Sequence, residues 1–321
     1  MKAALAPALA LVLAAAAARA DEPAPLAGVV EVVPLDIVPS AGKRIEAVDI
    51  DNRLGDVTVT GHDAPTATLT VVKRAPDGET MERLKVNLVL PGDDGVVRIG
   101  SAILLGAEAR PVPAGSVRID ITLSVPRAAR LLVKAWNGKV GVAGMRAGAT
   151  LAANDGEITV RDVDGVVSTT NARGRQRLSD VQGAVSADNA FGELTLDEIG
   201  GESLAARVHD GAVTATRIRS RVVTIRTTFG HILFQGELLA GGRYDLRSYK
   251  GDVKVRFAGG AAVRIDAYSR GGGVESQLEL ADAGRPEAGR LTGTYGPARR
   301  KPAALEISSV VGTVSLGLMN E

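Results

Sequence analysis

Few residues in this sequence combine the types and spacing that chemistry requires. Its histidines are His62, His209 and His231. The last two lie 22 residues apart, so a fold repeating at about that length would set them on neighbouring turns, with Asp210 as a third candidate ligand. A metal site needs several such ligands in one shell, and surface turn residues are the plainer reading of all three. Asp180, Asp197 and Glu198 form a second group. Paired carboxylates hydrolyse glycosides when they stand about 5–10 Å apart, but acidic residues at solvated corners look the same in sequence. A third group is basic: Arg173, Arg175 and Arg177, then Arg217, Arg219 and Arg221. Alternate residues on a strand share a face, so the two triplets are expected to line up as a basic stripe able to hold an anionic ligand by charge. The alternative is ordinary outward, solvated positions. No nucleophile elbow and no phosphate-cradling glycine loop ahead of a helix is present. No catalytic, cofactor-binding or metal residue is therefore assigned, and no cofactor is expected.

The elements that would carry these residues follow from an internal repeat. Glycines 55, 138, 156, 174, 192, 211, 230, 251, 272 and 312 act as pivots, and from Gly138 to Gly272 the steps are 18, 18, 18, 19, 19, 21 and 21. Positions two and four after each pivot are apolar in eighteen of twenty cases, the exceptions being Gln176 and Ser276. Positions seven and five before it are apolar in nineteen of twenty, the exception being Thr169. Polar residues lie between, so each unit holds two short half-buried strands of period two. Three residues before most pivots stands Asn, Ser or Thr, whose side chains close Asx and ST turns, and glycine then supplies the positive φ of a corner. A second, looser corner follows six to nine residues after the pivot.

Two strands and two corners in 18–21 residues make one turn of a solenoid. The fold class is all-β: a flattened single-chain β-solenoid, a β-helix-like stack of two-strand turns, with a hairpin-rich N-terminal part. The same spacing also allows antiparallel hairpins, two units forming one propeller blade. The repeats occupy 136–319. Residues 44–135 hold one full repeat and longer hairpins of the same unit, and the last repeat, 305–318, is expected to close the stack. Residues 21–43 are a linker or leading segment. Residues 1–20 read as a signal peptide, with Lys2, an Ala/Leu-rich run, and Ala18-Arg19-Ala20 before Asp21. No later run is long enough for a membrane-spanning helix.

Composition narrows the function classes. The chain contains no cysteine, so disulfides, thiolate metal sites and a lipidated N-terminal cysteine are excluded. Aromatics make up 3% of 321 residues, which leaves little surface for stacking sugars. Without residues 1–20 the chain carries 36 basic and 37 acidic residues, a charge of −1. That balance argues against general nucleic-acid binding.

The recurring Asn/Ser/Thr-x-x-Gly-x-Val-x-Val unit, the block from Ile45 to Val59 and the strand from Val117 to Pro126 carry a family likeness. They resemble the bacterial "putative adhesin" domain family of unknown function, over residues 44–319. The resemblance implies an exported, envelope-associated β-solenoid, periplasmic or at the cell surface, that binds or scaffolds without catalysis. Its partner would be an envelope glycan, a lipid headgroup or an envelope protein. Two alternatives stand beside it: an envelope-stress sensor or scaffold for another envelope protein, and a polysaccharide-active β-helix enzyme.

Overall fold

The computed structural model describes residues 28–40, 43–104, 112, 115–282, 289–297 and 301–319. The signal-peptide segment 1–20 lies outside the described residues. Within them the strands that precede the pivots pair side by side, and so do those that follow. Ala149–Asp155, Val167–Arg173 and Val185–Phe191 are parallel and in register, Leu151 facing Thr169 and Thr169 facing Ala187. Ile158–Asp164 and Gln176–Gln182 pair in the same way on the opposite layer. Two 17-residue strands, Leu194–Asp210 and Val213–Phe229, run round the second corner from one layer into the other. Parallel pairing of equivalent strands makes this a solenoid and excludes the propeller, whose hairpins are antiparallel.

The core is the thin space between the layers, filled by the inward columns. Val133, Leu151, Val160, Leu178, Ala187 and Leu196 are all buried there. Where the repeat lengthens from 18 to 21 residues the inward side chains grow, with Phe234, Tyr244 and Phe257 among the largest buried residues. The longer turn between Gly230 and Gly251 carries extra chain at 237–242, and Tyr244 pins it. The Leu239 N–H donates to the Tyr244 hydroxyl (2.7 Å), which donates to the Ser220 carbonyl (3.1 Å). Burial pushes the Tyr244 phenol above its usual range. An unfolded tyrosine ionises near pH 10 while the folded one stays neutral to higher pH, so stability present below about pH 10 is lost as pH rises above it. Tyr244→Phe is expected to cost about 1–3 kcal/mol at neutral pH, because buried partners lose their bonds. The gap to wild type should narrow in urea melts taken above pH 10, and a gap independent of pH would refute the assignment.

The pivots stack into a column. A Cβ on Gly174 would stand 1.9 Å from the Gly156 carbonyl oxygen, and one on Gly192 would stand 2.2 Å from that of Gly174. The side chains three residues before the pivots bond mainly between turns. Asn171 Nδ2 donates to the Gly156 carbonyl and Asn189 Nδ2 to that of Gly174, each at 3.0 Å. Thr227, Ser248, Ser309 and Ser269 donate in turn to the carbonyls of Gly211, Gly230, Gly251 and Gly312. The local corner bonds expected of these residues are present as well: Asn52 and Asn189 donate to the carbonyls of their own pivots, Gly55 and Gly192, and Ser269 Oγ accepts from the Gly272 N–H. A side chain three positions from its own corner also faces the corner of the adjacent turn, about 4.8 Å away.

Both ends of the stack depart from chain order. The last repeat, Ala303–Val311 with Val314–Leu318, does not close the stack. It lies between the Arg243–Lys250 turn and the Val263–Ser269 turn. Arg290–Tyr295 then pairs antiparallel on the outer side of Val263–Ser269. At the other end Ala47–Asn52 lies between Val96–Ile103 and Arg130–Asn137. Hairpin strands close that end: Leu84–Val89 beside Val96–Ile103, and Val29–Ile37 beside Ala67–Ala75. Antiparallel hairpins terminate a parallel stack without leaving a full core face open. Val29–Ile37 is nevertheless exposed along eight of its nine residues, and Pro34, Glu31 and Asp36 are its guards against edge pairing. A single turn of helix and a half, Gly78–Arg83, is capped by Asp77, which accepts from the Thr80 N–H, and it buries Met81.

Candidate ligand-binding face

The six arginines of the expected stripe fall into two places. Arg173, Arg175 and Arg177 surround the Gly174 corner. Arg217, Arg219 and Arg221 lie round the second corner two turns further on. In register Arg177 faces Thr159 and Thr195, whereas Arg219 faces Gly200, so the triplets occupy different columns. Carboxylates neutralise most of them. Arg173 pairs with Asp155 (3.2 Å), Arg175 with Glu193 (3.2 Å), Arg219 with Glu237 (3.0 Å), and Arg217 with Asp197 and Glu198. Each partner lies a turn away, because in-register positions point the same way and opposite charges on adjacent turns meet. Arg177 and Arg221 carry no ion pair among the described residues. All six are exposed, where a pair contributes about 0–1 kcal/mol.

The second-corner carboxylates have backbone work. Asp162, Asp180, Glu198 and Arg217 are non-glycine residues with φ of 52°, 51°, 55° and 51°. They stand one per turn in a single column, which forms the corner bulge. Asp197 also accepts from Thr216 Oγ1 (2.6 Å). The histidines are separated too. His62 Nδ1 accepts from the Ala64 N–H within its own corner, and His231 Nδ1 accepts from the Asp252 N–H of the next turn, both at 3.0 Å. His209 stands on the outer face of the pre-pivot layer. Among the described residues no three His, Cys, Asp or Glu side chains gather as a metal set.

His209 belongs to the most developed surface feature. Its ring lies between Phe191 and Phe229, edge to face with both, at centroid distances of 6.0 and 5.6 Å. The two phenylalanines are in register with Asp210 between them, on successive turns, and are 50% and 42% exposed. Tyr249, 55% exposed, follows on the next turn. Beside this aromatic row runs a ladder of Arg207, Arg226 and Arg247, each in register with the next. Arg207 pairs with Asp188 (3.3 Å), Arg226 with Asp245 (3.1 Å), and Arg247 with both Asp245 and Glu306. A groove of about 550 Å³ runs between the His209 ring and Arg207 with Arg226, floored by Ala172, Ala190, Thr170 and Thr228; Phe191 and Phe229 stand beside it, against His209, and do not line it. It exists because the outward positions shrink to alanine on the turns just before His209. Arg207, Arg226 and Arg247 sit four residues before Gly211, Gly230 and Gly251, so their alignment was available from the repeat. Phe191 and Phe229 stand one residue before their pivots, and counting aromatics by composition hid their gathering.

The register of the repeat and the glycine corners match a known pattern of sequence. The family model described as Toastrack DUF4097 matches residues 45–316. The chain belongs to this family. The Toastrack match spans the hairpin-rich part as well as the regular repeats. Solved structures similar to this Toastrack chain include a "putative lipid binding protein" from Parabacteroides distasonis ATCC 8503, 10% identical, covering 91% of this chain and 97% of that one, with a TM-score of 0.45. A "putative adhesin" from Parabacteroides merdae ATCC 43184 is 11% identical over 91% and 96% of the two chains, with a TM-score of 0.43. Another from Bacteroides fragilis NCTC 9343 is 11% identical over 89% and 97%, with a TM-score of 0.41. No curated protein matches the chain. No helix among the described residues of this Toastrack protein is long and apolar enough to cross a membrane.

Proposed function

We propose that the protein is exported and works in the cell envelope or at the cell surface as a non-enzymatic, adhesin-like binding or scaffolding module. The observation that carries this reading is the outer face of the pre-pivot layer. It is a broad, regularly ruled surface on which aromatic rings, ion pairs and a groove are gathered over consecutive turns. Solenoids present such extended faces to partners. The carboxylates that would serve an enzyme are instead placed in corner bulges and ion pairs. Export rests on residues 1–20 and on their cleavage-like end at Ala20.

Fractionating cells that make the tagged full-length chain tests the reading. The protein is expected outside the cytosol with Asp21 as its N-terminus, and to sediment with envelope material in a saturable way. Cytosolic protein that keeps residues 1–20 would overturn export. Exported protein that never sediments with any envelope fraction would overturn the binding role.

A further inference from the structure

We infer that the groove between His209 and the arginine ladder, with the two phenylalanine rings that flank His209 beside it, binds a neutral glycan chain, an inference that rests on the binding-module reading above. Three features of the groove select this ligand class.

The first is charge. Arg207 and Arg226 are matched by Asp188 and Asp245, and Arg247 by Asp245 and Glu306. The matched charges leave the ladder no net positive field to draw an anionic ligand, and the paired carboxylates would repel one. A polyhydroxylated ligand need not break these pairs. Each guanidinium has five N–H donors and each carboxylate accepts at two oxygens, so a paired Arg and Asp still present donors and acceptors side by side. Sugar hydroxyls both donate and accept. The arrangement therefore fits them and does not favour a single sign of charge.

The second is the exposed aromatic row beside the groove, which touches it through His209. Phe191 and Phe229 keep half their surface in water in a chain with four phenylalanines. The His209 ring set between them fixes their spacing. Exposed rings of this kind offer apolar faces to the C–H side of a pyranose, while the polar edges of the sugar turn to the arginine ladder. The third is shape. The floor of Ala172, Ala190, Thr170 and Thr228 is small and has no net charge. The groove crosses several turns spaced about 4.8 Å apart, so it suits a linear chain laid along the stack.

The test uses the full chain against immobilised linear hexaoses of glucose, galactose, mannose and N-acetylglucosamine, with sulfated and uronic-acid hexaoses as charged counterparts, followed by calorimetry. At least one neutral hexaose is expected to bind, with affinity changing less than threefold between 50 mM and 500 mM salt. The Phe191→Ala and Phe229→Ala double variant should lose at least tenfold in affinity. Both rings are exposed, so its thermal midpoint is expected to stay near that of wild type, and Asp188→Asn should weaken binding without touching an aromatic. The Arg217→Ser, Arg219→Ser and Arg221→Ser triple variant, altered at the far corner, should bind as wild type. Binding only to charged hexaoses, with affinity falling steeply in salt, overturns the inference. So does neutral binding that survives loss of both phenylalanines, and so does absence of binding to every neutral hexaose. If the protein then still sediments with envelope material, the groove assignment alone has failed. If it does not, the binding-module reading has failed with it.

Discussion

Gly174→Ala is expected to destabilise the protein by about 3 kcal/mol or more. Two costs act together. Gly174 has φ of 125°, a region L side chains rarely enter. The new Cβ would also stand 1.9 Å from the Gly156 carbonyl oxygen, far inside contact distance. Neither cost is easily relieved. Moving the corner outward breaks the bond from the Asn189 amide to the Gly174 carbonyl, and the Gly192 corner stacks on the same atom. The damage should spread to adjacent turns, since stability in a repeat stack depends on each interface with a neighbour. Gly100→Ala is the matched control. A Cβ there meets nothing within 4 Å, and the change should stay within about 0.5 kcal/mol. Urea unfolding of both variants decides the matter, and equal midpoints would show that the column is not the constraint.

The second large effect concerns the two polar residues in the inward columns of the Gly174 turn. Thr169 and Gln176 are both fully buried. They face each other across the core, Thr169 Oγ1 donating to Gln176 Oε1 (2.6 Å), and Gln176 Nε2 donates to the Asp188 carbonyl (2.7 Å). Thr169→Val alone leaves the Gln176 carbonyl without its donor, and Gln176→Leu alone leaves the threonine hydroxyl without its acceptor. Each is expected to cost about 1–3 kcal/mol. The double variant makes the pair of sites apolar, like most of their column neighbours, and should recover much of the loss. A double-mutant cycle therefore predicts non-additivity of roughly 1 kcal/mol or more. Strictly additive costs would show that the two side chains do not depend on each other. The pair also lies directly beneath the proposed ligand face, since Asp188 carries the carboxylate that Arg207 engages. The same double variant thus checks whether the inner bond helps hold that outer pair.

Much of this molecule is local and periodic, and that part is legible in the sequence. The alternation around each pivot follows from the two-residue period of a strand, and it places Val160, Leu178 and Leu196 in one buried column without any tertiary knowledge. The glycine steps imply stacking, because one turn cannot bury its apolar face alone. Even Thr169 and Gln176, two of the three exceptions to the apolar rule, stand out by position. What the spacing does not contain is the partner of each turn where the chain doubles back. Nothing in residues 303–318 distinguishes an end from an insertion between two earlier turns. That choice depends on which strand edges remain open once the Arg290–Tyr295 hairpin has formed, a matter of contacts distant in sequence. The arginines show the same division. Alternation puts Arg217 and Arg219 outward, but only the register of whole turns shows that they share no column with Arg173 and that carboxylates a turn away neutralise most of them. The aromatic row is likewise a product of stacking. Phe191, His209 and Phe229 lie 18 and 20 residues apart in the chain, and only superposition of successive turns brings their rings within 6.0 Å.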